Sequence, residues 1–157
     1  MKISPSVGET VTENSITMAV PWRMAFDWAA EVERWPEILP HYRWVKTLSH
    51  ERDGRVVEMA ARRGAWPVRW TALLQPRPEE RRIYFTHLKG PARGMKVYWE
   101  FVEVDGGTDV TIYHELALEV PFIRNRLGKW IVSEGFIRPI ASKTLHWMKR
   151  TVEGARG

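Results

Sequence analysis

A chain of 157 residues that is 44% hydrophobic and 27% charged fits one domain, residues 1–157, burying roughly two-thirds of its unfolded surface. The absence of cysteine excludes disulfides, thiolate metal sites and a cysteine nucleophile. No apolar run approaches membrane length and the N-terminus lacks a signal-peptide core, so the expected location is cytoplasmic, without a transmembrane segment. The net charge of +5 is a mild basic bias. Arg62-Arg63 and Arg81-Arg82 are short pairs, and they read as solvated surface rather than as a DNA footprint.

Glu9 to Ala19, with Thr10, Val11, Thr12, Ile16 and Thr17, predicts a first strand ended by Val20-Pro21. Pro21 suits the first position of a helix whose buried face carries Ala25, Trp28, Ala29 and Val32. That helix is expected to stop near Arg34, because Pro36 disfavours helical geometry in Trp35. A second short turn, pinned between two prolines, then runs from Trp35 to Tyr42. From Tyr42 the pattern alternates, predicting strands over Tyr42–Ser49, Arg55–Arg62, Trp66–Gln75, Arg82–Leu88, Met95–Glu103 and Thr108–Leu118. Their separators are short and rich in Gly and Pro, which favours an antiparallel meander.

Pro121 to Val152 reads as a long C-terminal helix with Ile137, Ile140, Ala141, Leu145, Met148 and Val152 on one face. Gly135 and Pro139 predict a kink near Ser133 to Gly135. Alternation puts Trp66, Val68, Trp70, Ala72 and Leu74 on one face of their strand, Met95, Val97, Trp99 and Phe101 on another, and Val110, Ile112 and His114 on a third. Nine tryptophans in so small a chain suggest an indole wall facing something other than packed aliphatic side chains.

Thr12-Glu-Asn-Ser-Ile16, the Glu31–Tyr42 stretch with its Trp35-Pro36, the Gly106-Gly-Thr-Asp-Val-Thr111 hairpin and the terminal helix resemble the polyketide cyclase/dehydrase and lipid-transport family, part of the START-like helix-grip superfamily. The resemblance implies an α+β fold, a curved antiparallel seven-stranded sheet around a long C-terminal helix, with two short helices after the first strand. It implies a hydrophobic small-molecule ligand between sheet and helix, and an acyl carrier protein as a partner of such enzymes. Tyr42 stands where cyclases of this kind have a pocket tyrosine, and Trp70 and Trp99 match pocket-wall indoles. Leu74 stands where an arginine is expected, which removes the obvious cation for an enolate.

An aldol cyclisation needs a base, a donor for the enolate, and walls that fold a flexible chain. His114 is the candidate base or acid and Tyr42 the candidate donor. Trp35, Met59, Trp70, Leu74, Phe85, Trp99, Ile112 and Ile140 are the candidate ligand-binding residues. His41, His50, His87 and His146 lack ligand-like spacing, so neither a metal nor any other cofactor is expected. Three readings stay open: a polyketide cyclase or dehydratase, a non-catalytic quinone or lipid carrier favoured by Leu74, and a ribosome- or RNA-associated interaction protein.

Overall fold

The computed structural model describes residues 11–115 and 137–156. Seven strands form one antiparallel sheet: β1 (Val11–Met18), β2 (Tyr42–Glu51), β3 (Gly54–Arg63), β4 (Trp66–Arg77), β5 (Arg82–Lys89), β6 (Lys96–Val104) and β7 (Gly107–Glu115). Their spatial order is β1-β7-β6-β5-β4-β3-β2. The meander from β2 to β7 follows from its short turns. The first strand closes on the last, Thr12 opposite His114 and Asn14 opposite Ile112.

Between β1 and β2 the chain crosses the sheet through α1 (Trp22–Ala30), a single 3-10 turn (Val32–Arg34) and α2 (Trp35–Ile38). Three expectations are corrected here. Pro21 is the residue before the helix rather than its first turn, and its carbonyl accepts from the backbone of Met24 and Ala25. The first helix ends at Ala30, where Glu31 leaves helical geometry (φ −85°, ψ 64°). Trp35 is itself helical (φ −54°, ψ −39°) and opens α2. The bias against helix before proline is a local preference, and here the indole is held by three aromatic neighbours described below.

The final helix, α3 (Arg138–Arg156), buries Ala141, Leu145, Met148 and Val152 against the sheet. Ile137, just ahead of it, is also buried, as the three- and four-residue spacing requires. Pro139 falls in the first turn of this helix, where its missing N–H breaks no bond. The predicted kink near Ser133 to Gly135 lies outside the described residues. The helix is tied to β1 by Asn14 Nδ2 donating to Ser142 Oγ (3.0 Å) and by Lys149 Nζ donating to the Thr17 carbonyl (2.6 Å). No helix among the described residues is long and apolar enough to cross a membrane.

The sheet face turned to α3 is unequal along its length. At the end holding the β2–β3 and β6–β7 turns it is packed solid. Met18, Leu74, Ile83 and Val110 are fully buried, and Phe26 of α1 meets Phe101 edge-on at 5.4 Å. Arg55, opposite Leu74, donates to both Glu33 carboxylate oxygens (2.6 and 2.9 Å) and to the Ala30 carbonyl (2.8 Å), clamping the crossing segment to the sheet. The other end of the same face carries polar atoms.

Candidate functional site

The inner residues at this second end come from several strands and two helices. β7 contributes His114, β5 contributes Phe85 and His87, and β4 contributes Trp70 and Ala72. A bulge between Thr71 and Ala72, which leaves Leu88 unpaired, keeps His87 opposite Ala72 on the inner side. Gly90 carries φ +116°, and a Cβ there would meet the Arg69 carbonyl and Trp70 Cβ at 2.9 Å; this allows the β5–β6 connection to lie close over β4. From the helices, α2 brings Trp35 and α3 brings Thr144.

Trp35 is the hub. Its ring is 5.2 Å from Tyr42, 5.6 Å from Trp99 and 6.1 Å from Phe85. Tyr42 meets Trp70 edge-on at 6.0 Å, and Trp70 stacks on His87 at 5.9 Å and 15°. The structure therefore gathers most of the residues singled out from sequence. Tyr42, Trp35, Phe85, Trp99, Met59 and Ile112 are buried, Trp70 and Ile140 half-buried, and Leu74 fully buried in the packed end. Leu74 thus belongs to the solid part of the core. Arg55, the cation paired opposite it on β3, is neutralised by Glu33.

The tryptophans are divided in a way the composition did not predict. Trp35, Trp70 and Trp99 line the inner face, whereas Trp22, Trp28, Trp44 and Trp147 are half-buried with a cation over the ring: Arg81 (4.6 Å), Arg34 (4.7 Å), Lys46 (4.6 Å) and Arg150 (4.9 Å). Trp66 is 70% exposed on the β3–β4 turn. Indoles covered by guanidinium or ammonium groups are stable at the surface, so a tryptophan count alone cannot locate a ligand wall.

Several polar atoms among these residues are buried and have no hydrogen-bond partner among the described residues: Trp35 Nε1, His87 Nδ1, His114 Nδ1, His41 Nδ1 and Thr12 Oγ1. Each such atom costs roughly 1–3 kcal/mol while nothing pairs it, so their grouping on one stretch of the inner face is a feature that packing alone does not account for. Burial pushes the imidazoles toward the neutral form. His114 is held down to about 3 by burial and then by nearby His87, and His87 is brought to about 4 by burial. Both are neutral near neutral pH, and a neutral imidazole presents one lone-pair nitrogen.

His41 and Tyr42 form a second group. Thr144 Oγ1 donates to the Ile140 carbonyl (2.7 Å), so it accepts from His41 Nε2 at 2.8 Å. That fixes the His41 proton on Nε2. Burial and then Lys143 bring His41 to about 4. Burial raises the Tyr42 phenol above its ordinary value, against the opposing hydrogen bond with Thr144, so Tyr42 stays protonated. Sequence reasoning named His114 and Tyr42 but passed over His87, Thr12 and Thr144. His87 shares its parity with Ile83 and Phe85 along β5, and that alternation was the available signal. Among the described residues no three His, Asp or Glu side chains are grouped to hold a metal ion.

Residues 18–138 match the family described as polyketide cyclase / dehydrase and lipid transport. A Streptomyces cyaneus protein named "Putative polyketide cyclase" is 24% identical over 111 residues, covering 69% of this chain and 73% of its own length. A Thermus thermophilus structure superposes with a TM-score of 0.79 at 16% identity, over 94% of this chain and 100% of its own. The Zhui aromatase/cyclase of Streptomyces sp. R1128 does so at 0.71 and 18% identity, over 91% and 96%. These structural likenesses are of the helix-grip fold.

Proposed function

Because the chain belongs to the polyketide cyclase/dehydrase and lipid transport family, we propose that it binds an aromatic or polyketide-like molecule between the inner sheet face and α3 and catalyses its aldol cyclisation and dehydration. The observation that carries this reading is the set of unpaired polar atoms on Trp35, His87 and His114 within an aromatic wall. Packed aliphatic contacts would satisfy none of them. Carbonyl and enol oxygens of an oxygenated, hydrophobic chain would.

His114 is the base. Its neutral imidazole takes a proton from a methylene flanked by two carbonyls, and the enolate carbon attacks a ketone further along the same chain. A carbon–carbon bond forms and the ketone oxygen becomes an alkoxide. The imidazolium returns its proton there, giving a β-hydroxy ketone. Loss of water then follows, with the same imidazole removing the second proton. Trp35 Nε1–H, a donor with no partner among the described residues, holds the enolate oxygen. Tyr42, engaged with Thr144, orients the Trp70 wall rather than giving up its own proton. The substrate in this reading arrives on a carrier protein.

The test is turnover of a linear poly-β-ketone surrogate. His114→Ala is expected to lower kcat by roughly 10²–10⁴-fold with a small change in KM. His114→Phe is expected to keep or raise folding stability, since it removes an unpaired buried atom. Equal turnover by wild type and His114→Ala would overturn the assignment. The buried Leu74, and the neutralisation of Arg55, favour a second reading in which the same surface carries a quinone or lipid without turnover. That reading expects no turnover by wild type and an isoprenoid or acyl chain extracted from the purified protein.

A further inference from the structure

The polar side chains that β1 and β7 bring together are not all satisfied. On the outer face the Ser15 and Thr111 hydroxyls are hydrogen-bonded at 2.8 Å, and Thr17 Oγ1 donates to Asp109 Oδ1 at 2.6 Å. On the inner face, at the packed end, the buried Thr108 Oγ1 donates to the Val20 carbonyl at 2.8 Å. Further along that inner face the pairing stops. Thr12 and His114 stand opposite one another, both more than nine-tenths buried, and Thr12 Oγ1 and His114 Nδ1 have no partner among the described residues. Asn14 is the next inner residue of β1. Its amide nitrogen donates to Ser142 Oγ of α3 at 3.0 Å, and its Oδ1 is buried without a partner among the described residues.

These three residues are neighbours. Side chains directly opposite on antiparallel strands have Cβ atoms about 5 Å apart, as Thr12 and His114 do, and diagonal neighbours such as Asn14 and His114 are about 7–8 Å apart. Their hydrogen-bonding capacity is one-sided. An amide oxygen only accepts, a hydroxyl offers one hydrogen against two lone pairs, and a neutral imidazole carries a single N–H. The group they match is therefore a hydrogen donor. The complementary capacity lies across the sheet. Ile112, opposite Asn14, is paired on its other side with Trp99, and Trp99 meets the Trp35 ring, whose Nε1–H is a donor, at 5.6 Å. From Asn14 to Trp99 is two strand spacings, about 10 Å, which is the reach of a fused-ring molecule rather than of a single ring.

We infer that Thr12, Asn14 and His114 form a subsite that takes a phenol or enol hydroxyl of the ligand, and so selects molecules hydroxylated at the edge facing β1 over those with only carbonyl or ether oxygens there; the inference rests on the ligand reading above. With a carbonyl oxygen accepting from Trp35 and a hydroxyl donating to Asn14, a fused-ring molecule has one orientation between the sheet and α3. A ketone, a methoxy group or an alkyl tail placed against β1 leaves Asn14 Oδ1 unpaired, and a site built to bond a hydroxyl rejects the analogue that lacks it. Thr12 and Asn14 act here in specificity and take no part in proton transfer.

The probes are a dihydroxyanthraquinone whose hydroxyls are remote from its carbonyls, the dimethyl ether of that compound, and unsubstituted anthraquinone, each titrated against the full chain by tryptophan fluorescence. Wild type is expected to bind the dihydroxy compound about tenfold or more tightly than either analogue. In Thr12→Val/Asn14→Leu the three affinities are expected to converge. The readout is a ratio, so a general loosening of the fold, which weakens all three probes alike, does not imitate it. Thr12→Ser, which keeps the hydroxyl, is expected to keep the wild-type preference. If the double variant fails to fold, Thr12→Val alone, which keeps the shape of the side chain, is expected to lose part of the preference. Equal affinities in wild type, or the full wild-type preference in these valine variants, overturns the inference. Wild type that binds all three probes equally loses only the subsite, whereas wild type that binds none of them loses the ligand reading as well.

Discussion

Trp35→Ala is expected to cost about 3–5 kcal/mol of folding stability and to abolish binding of a planar aromatic ligand. The indole is 2% exposed and packs against Tyr42, Phe85 and Trp99 at once, so α2, β2, β5 and β6 all lose a contact when it is removed. α2 is a single turn with no side-chain cap, and nothing else in it is buried so deeply. Trp35→Phe separates packing from chemistry. It keeps a ring in the hub and removes the unpaired Nε1–H, so stability should stay within about 1.5 kcal/mol of wild type. Affinity for a dihydroxyanthraquinone should nonetheless fall. Denaturant unfolding and a fluorescence titration of the two variants measure both effects. Unchanged affinity in Trp35→Phe would remove the indole from the ligand site.

Acidification is expected to have an effect of similar size. His87 and His114 titrate near 6.5 in the unfolded chain and at about 4 and about 3 in the folded protein. Their folded values are depressed, so below pH 6.5 the unfolded state binds more protons. Stability is therefore full above that value and falls as pH drops through it toward the folded values, at about 1.4 kcal/mol per pH unit for each histidine. Between pH 7 and pH 5 the two together should remove about 4 kcal/mol. Burial alone would raise the Glu33 carboxyl, but hydrogen bonds from Arg55 and Thr47 outweigh it and hold the group below 4.5, so Glu33 stays ionised across this interval. Urea unfolding at the two pH values should show the loss, and a His87→Phe/His114→Phe variant should lose less. An identical loss in that variant would assign the acid sensitivity elsewhere, with His41 beside Lys143 the next group to replace.

The architecture was legible in the sequence because its signals are periodic. Alternation over β2 to β7 and the three- and four-residue steps of Ala141, Leu145, Met148 and Val152 are repeated often enough to survive local exceptions. The crossing segment was less legible. Whether Trp35 could be helical before Pro36 depended on Tyr42, Phe85 and Trp99, which come from other parts of the chain. The same limit applies to the tryptophans. Trp22, Trp28, Trp44 and Trp147 look like Trp35 and Trp99 in composition, and only the placement of Arg81, Arg34, Lys46 and Arg150 over their rings shows that they stay half-buried. His87 was overlooked because histidines were sought at metal-like intervals. Its place in the site comes from strand parity and a bulge beside Leu88.

Leu74 illustrates a residue whose meaning changed with context. From sequence it stood for a missing cation on a ligand wall. In the fold it fills the solid end of the core opposite Arg55, whose guanidinium is spent on holding Glu33 and Ala30. The chemistry left to this chain on its described inner face is therefore that of neutral donors and acceptors: an indole N–H, two imidazoles and a phenol.

The most direct measurement is imidazole nitrogen NMR of the histidine-labelled protein during titration with a dihydroxyanthraquinone. The Nδ1 resonances of His87 and His114 should move together and saturate at one equivalent, while those of the exposed His50 and His146 stay in place. Saturable binding that leaves His87 and His114 unmoved would contradict the account.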